Sequence, residues 1–257
     1  MKFVIYNSPK IKNINERALD ILKKNKICII KNFHELNHTK KIIKFFKKNF
    51  DPKKDIKISG QRRLKQGDYQ RLDIGNSYKY PRFLRSIYIN ELLKKNEEIF
   101  RLIKPIIETR NYVSKIEKYK NFYPKVRGML NSADLKKYSY RDFVRMIQYP
   151  FGGGFLGEHV DYDKYYCRGV YQAILPLTVK KNKKRRSLAT YKEGGLYFKI
   201  KQNKIYVEDY LEARDLLLFD PRVNHGVESV DTARKLDLKN LNGRLTLAFS
   251  ITNFLIK

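Results

Sequence analysis

The chain has 257 residues, room for one large domain with a buried core, and its 42% hydrophobic and 32% charged composition is that of a soluble globular protein. No apolar run reaches the roughly 18 residues that a membrane-spanning helix needs; the N-terminus lacks a secretory signal's apolar core, and the two cysteines, Cys28 and Cys167, form no disulfide framework, so a cytoplasmic location is expected. The formal charge of +30 is spread along the whole chain, which disfavours a dedicated nucleic-acid surface and suits either solvated lysine-rich faces or attraction to an acidic substrate.

In chain order, "INERALDILKKNK" (14 to 26) places Ile14, Ala18, Ile21 and Leu22 at helical spacing. "ICIIKNF" (27 to 33) is β-branched and strand-like, and "NHTKKIIKFFKKNF" (37 to 50) carries a second helical apolar stripe. Residues 51 to 82 lose periodicity and read as a turn-rich loop over a site. From Phe83 to about Ile116 two helices are expected, the second interrupted at Pro105. Residues 117 to 140 form another irregular connection. After Tyr140 come about eight short alternating segments, punctuated by Gly, Pro, Asn and Asp, as in a jelly roll of the cupin kind. The whole reads as a single domain, 1–257: a helical N-terminal layer with lid loops (1–140) packed on a β core (141–257).

"GEHVDYD" (157 to 163) lies in the second of these segments. Residues two apart on a strand share a face, so His159 and Asp161 aim at one point while Val160 turns away. His225 opens a later strand, after "RDLLLFD". Two histidines and one carboxylate make the facial set of non-haem Fe(II) oxygenases, which leaves positions open on one side of the ion. Zinc is compatible with the same three ligands; Mg²⁺ and Ca²⁺, which prefer oxygen throughout, are not favoured.

Over residues 141 to 254 the chain resembles the 2-oxoglutarate- and Fe(II)-dependent dioxygenase superfamily, in its prolyl-hydroxylase-like pattern. The resemblance is carried by "QYPFGGGFLGEHVD", "GGLYF", "DLLLFDPRVNHGV" and "GRLTLAFSI". It implies a double-stranded β-helix core, Fe(II) held by His159, Asp161 and His225, and 2-oxoglutarate as cosubstrate. It also implies an arginine on the last core strand that binds the far carboxylate of 2-oxoglutarate. Arg244 with Thr246 fits that role, since a guanidinium matches a carboxylate bidentately. Arg234 has the spacing from the distal histidine that the family commonly shows, but "RKLDLKN" reads as loop and "RLTLAFSIT" as strand, so Arg244 is preferred and 231 to 242 becomes an insertion. Tyr149, ten residues before His159, and Gln172 on the next strand are the other cosubstrate-pocket candidates, and Arg145 shares the parity of Tyr149 and could meet an anionic substrate.

Bland readings stand beside these. A lone HxD arises by chance on surface strands, and His225 alone could be a hydrogen-bonded core histidine; the order HxD, distal His, RxT along a β run is what carries the assignment. His34 and His38 flank a helix start and read as capping or exposed. Asp163 is a substitute ligand one strand step beyond Asp161, and Gly194 and Gly195 serve a tight approach to a strand. The resemblance implies hydroxylation of an unactivated C–H bond, with release of succinate and CO₂, on a small molecule or a protein side chain. The alternatives are a basic jelly-roll module that binds RNA or glycan, and a cupin-type metal isomerase without 2-oxoglutarate.

Overall fold

The computed structural model describes residues 3–6, 13–58, 69–75, 80–92, 96–118, 122–123, 132–161, 170–181 and 188–253. Strand β1 (Val4–Tyr6) leads to helix α1 (Ile14–Asn25), β2 (Ile27–Lys31) and α2 (Leu36–Asn49). Then come β3 (Ile56–Ile58), β4 (Gln70–Gly75), β5 (Arg82–Tyr88), the one-turn α3 (Ile89–Leu92), α4 (Glu97–Ser114), β6 (Phe122–Tyr123) and α5 (Ser132–Lys137). The remainder is β: β7 (Tyr140–Tyr149), β8 (Gly154–His159), β9 (Gln172–Pro176), β10 (Val179–Lys180), β11 (Ala189–Tyr191), β12 (Gly195–Ile200), β13 (Asn203–Tyr206), β14 (Leu216–Phe219), β15 (Asn224–Val230) and β16 (Arg244–Asn253).

The main sheet runs β1-β2-β14-β9-β16-β7-β5-β8-β15-β12-β13. Side chains from β14, β9 and β16 on one side of this path and from β8, β15 and β12 on the other line one cavity, so the sheet wraps around it as a double-stranded β-helix. Period-two alternation sorts the two faces. On β16, Leu245, Leu247 and Phe249 join the core beneath the helices, while Arg244, Thr246 and Ala248 line the cavity. On β14, Leu216 and Leu218 pack on the helical side and Leu217 and Phe219 on the other. The helices cover the outer face with Ala18 and Leu22 of α1, Ile42, Phe45 and Phe46 of α2, and Ile99, Ile103, Ile106 and Ile107 of α4. Each such buried side chain contributes about 1.5–3 kcal/mol relative to exposure.

The N-terminal half is not purely helical. Residues 83–88, expected as part of a helix, belong to β5, a central strand between β7 and β8. Its sequence hides this because both faces are buried: Leu84 and Ile87 are apolar, but so deep are Arg85 and Ser86 that no alternation survives. Arg85 is satisfied by Asp55, Gln148 and the Leu238 carbonyl. Part of the aperiodic stretch 51–82 is likewise strand, β3 and β4, while 59–68 and 76–79 lie outside the described residues. Pro105 does not interrupt α4. It and Arg101, whose carbonyl loses its donor, are both exposed, so water replaces the missing bond; the buried isoleucines hold the helix. Asn96 caps its start by accepting from the Ile99 N–H at 3.0 Å. His34 is buried rather than exposed, and desolvation pushes its pKa down to about 4. Gly194 and Gly195 do precede a strand, both at positive φ. A β-carbon on Gly195 would sit 2.5 Å from Cγ of Glu208, so glycine there makes room for that side chain.

Candidate metal and cosubstrate site

His159 ends β8 and His225 lies directly opposite it on β15 in the antiparallel register. Opposed residues on adjacent strands share a face, and the two imidazole centroids are 4.4 Å apart. Asp161 follows just beyond β8, its backbone N–H held by the Pro221 carbonyl at 3.0 Å. Val160, as expected, turns outward and is 39% exposed. His159 Nε2 lies 3.3 Å from Asp161 Oδ1, and His225 Nε2 lies 3.5 Å from Asp161 Oδ2. One donor atom from each residue falls within 4.8 Å of the others. Asp163 lies outside the described residues.

Both imidazoles are held from behind. His159 Nδ1 is 2.8 Å from the Gly157 carbonyl and His225 Nδ1 is 2.9 Å from the Val223 carbonyl. A carbonyl only accepts, so each Nδ1 carries the hydrogen and each Nε2 is left to meet the carboxylate or an ion. Burial alone would raise the Asp161 pKa, but hydrogen bonds and charge from His159 and His225 outweigh it and hold the carboxyl well below its usual range. Burial pulls His225 down, and Asp161 more than compensates, so its pKa is raised. A partly buried carboxylate ionised between two Nε2 atoms is a place for positive charge. The nitrogen-and-oxygen donor set, the fixed tautomers and the burial all fit a transition-metal ion. Around the histidines, Tyr80 stacks on His159 at 4.1 Å and Phe219 packs edge-on against His225 at 5.0 Å.

Gln172 donates to Asp161 Oδ2 at 2.7 Å, so it stands against the triad rather than at the far end of the cavity. Replacing Gln172 with Ala should weaken metal binding by about 10–100-fold, the usual cost of losing a partner that orients a ligand, as read by Fe(II) or Co(II) titration; an unchanged affinity would show that Asp161 is positioned without it.

Arg244, Thr246 and Tyr149 meet elsewhere in the same cavity. Arg244 is paired in register with Tyr149, and its guanidinium carbon lies 5.2 Å from the Tyr149 ring centroid. Its Nε donates to Glu208 Oε1 at 2.6 Å. Glu208 also accepts from the Tyr191 hydroxyl at 2.6 Å and from the Leu196 N–H at 3.1 Å. Burial opposes the charge on Arg244, yet Glu208 keeps its pKa above the ordinary value. Nε is committed to Glu208 and the Tyr191 hydroxyl bonds the same guanidinium, so the group is held at a fixed orientation along the cavity wall. Burial also pushes the Tyr149 hydroxyl up to about 12, so it stays protonated and able to donate. Arg234, by contrast, is 52% exposed, lies over the Phe151 ring and faces Asp231 at 3.7 Å; it is not among the residues lining this cavity. Segment 231–243 is loop, as expected.

Sequence reasoning missed Glu208, Tyr80, Asp73 and Arg82. Glu208 sits in a single 3₁₀ turn, Val207–Asp209, 36 positions from Arg244, and no periodicity marks it. The one trace was the adjacent pair Gly194 and Gly195.

No protein-family model matches the chain, and no curated protein matches it. Solved structures do match its fold. A prolyl-4-hydroxylase from Pseudomonas putida superposes with a TM-score of 0.55 at 12% identity, over 93% of this chain and 99% of that one. A prolyl hydroxylase from Trichoplax adhaerens, solved with a hypoxia inducible factor peptide fragment, gives 0.53 at 14% identity, over 94% and 90%. An oxidoreductase of the 2OG-Fe(II) oxygenase family from Burkholderia pseudomallei gives 0.51 at 8% identity, over 98% and 96%. The chain therefore has the double-stranded β-helix fold of the 2-oxoglutarate- and Fe(II)-dependent oxygenases, with a His–Asp–His set inside it that can hold a metal.

Proposed function

We propose that the chain is a single-domain, cytoplasmic Fe(II)- and 2-oxoglutarate-dependent oxygenase that hydroxylates an unactivated C–H bond of a small molecule or a protein side chain. The observation that carries this reading is that the triad and Arg244 line one cavity. His159, Asp161 and His225 would hold the iron. When bound, the ion supplies the redox chemistry that couples decarboxylation of 2-oxoglutarate, to succinate and CO₂, to oxidation of the substrate.

The chain's own residues do the rest. The Arg244 fork, preset by Glu208, holds the distal carboxylate of 2-oxoglutarate, with the hydroxyls of Thr246 and Tyr149 as neighbouring donors. Leu84, Ile147, Leu196 and Phe219 line the walls and keep water from the reacting centre, which strengthens each of these contacts. Gln172 holds the triad carboxylate in place. A cupin-type isomerase with the same ligands would have no use for a buried guanidinium in the metal cavity, and a binding module would have no use for convergent Nε2 atoms. The test is turnover of 2-oxoglutarate by the purified protein. The expected result is succinate formed in step with 2-oxoglutarate consumed, dependent on Fe(II) and O₂. Metal binding without any 2-oxoglutarate consumption would favour the isomerase instead.

A further inference from the structure

Arginines stand at both ends of the cavity, and only one of them is needed for the cosubstrate. The turn at 150–153 joins β7 to β8. Arg244, opposite Tyr149, stands beside that turn. Arg145 lies four residues from Tyr149 along β7, and cross-strand neighbours place it toward the metal. Arg145 is opposite Ala248, Ala248 is opposite Ile174, and Gln172, two residues from Ile174 on the same face, is the residue bonded to Asp161. Ala248 projects only a methyl group beside the Arg145 side chain.

A second arginine, Arg82, lines the same cavity. Its guanidinium is 5.7 Å from the ring of Tyr80, which stacks on His159. Asp73 lies 3.4 Å from Arg82 and is also bound by Arg71, so this cluster of three carries a net positive charge. Among the described lining residues the arginines are Arg82, Arg145 and Arg244 and the acids are Asp73 and Asp161. A divalent ion on the triad and the two carboxylates of 2-oxoglutarate offset each other, so the positive charge that would meet a substrate is the local one at Arg145 and Arg82. A low-dielectric cleft with such a lining concentrates anions.

Resting on the oxygenase reading above, we infer that the substrate is a small molecule bearing a carboxylate or a phosphate monoester, held at the metal end of the cavity by Arg145, with Arg82 adding positive charge to the same cavity. The anionic group fixes which C–H bond is presented to the metal. The substrate anion and the distal carboxylate of 2-oxoglutarate thus occupy opposite ends of the cavity.

The test is anaerobic titration of the Fe(II)–2-oxoglutarate complex, followed through its visible absorption, with a panel of amino acids, hydroxy acids and sugar phosphates. Each is paired with its methyl ester, amide or dephosphorylated counterpart. Appearance of the band on adding 2-oxoglutarate is the check on the oxygenase reading itself and is scored separately. The inference expects at least one acid to perturb the band at concentrations tenfold or more below its neutral counterpart. Whether the carboxylate or the phosphate arm responds identifies the source of the anion. In Arg145→Gln the 2-oxoglutarate band should persist, which shows the fold intact, while half-saturation by the acid rises about tenfold or more; Arg145→Lys should recover part of it. A panel in which no acid outperforms its neutral partner, or an Arg145→Gln protein that binds the acid within twofold of the parent, overturns the inference.

Discussion

Replacing Arg244 with alanine is expected to destabilise the fold by about 3–5 kcal/mol, because it strands a buried carboxylate that has lost its positive partner. Glu208 is 2% exposed and Arg244 is equally deep, so the orphaned carboxylate would sit away from bulk solvent. Tyr191 and the Leu196 N–H would remain as donors to Glu208, which soften the penalty without removing it. The pair can be separated from its proposed role by changing both partners. Arg244→Met combined with Glu208→Gln removes both charges, while the amide oxygen can still accept from the Tyr191 hydroxyl or the Leu196 N–H, so no buried charge is stranded. The double variant should therefore melt near the parent protein yet show no saturable requirement for 2-oxoglutarate. Arg244→Lys keeps the charge and loses the planar fork, so it should fold and need much more cosubstrate. If the double variant still used 2-oxoglutarate normally, the anchor would lie elsewhere, and Arg234→Ala would be the next variant to measure.

The second large effect concerns the metal. In the parent protein, Fe(II), or Co(II) as an air-stable surrogate, should raise the melting temperature. A ligand that binds only the folded state at 100 times its dissociation constant adds about 2.7 kcal/mol. His225→Ala removes one of the three donors and should abolish that stabilisation, a loss greater than the 10–100-fold expected for Gln172→Ala. Without metal the variant should remain folded, since His225 is one side chain at the end of a cavity and the cores around Phe198 and Phe219 stay in place. A metal-dependent shift that survives in His225→Ala would mean that the ion is held by a different set of side chains.

The parts of this arrangement that could be read from the chain are those governed by short periods. HxD brings His159 and Asp161 together at the end of β8, and "RLTLAFSIT" separates Arg244 and Thr246 from the core leucines by strand alternation. The reading of Arg244 as strand and Arg234 as loop matches the structure, in which Arg244 opens β16 and Arg234 is exposed. What could not be read depends on contacts between distant segments. β5 has no alternation because Arg85 is buried against Asp55, 30 positions away. The integrity of α4 at Pro105 depends on four isoleucines meeting a sheet face built from later strands. Glu208 is invisible for the same reason: an acidic residue in a short turn resembles any solvent-facing one until Arg244 and Tyr191 close over it. The short strands β3 and β4 were lost among polar residues such as Gln70 and Asp73, both buried and bonded to neighbours that sequence spacing does not reveal.

One spectrum decides the matter most directly. Ferrous ion and 2-oxoglutarate are added together to the protein without oxygen, and a weak visible charge-transfer band is sought. Three donors from two separate strands, gathered on one ion beside an arginine-lined cavity, predict that the band forms in the parent and disappears in His225→Ala. A protein that binds both components yet stays colourless, or a band unaffected by loss of that imidazole, would contradict the account.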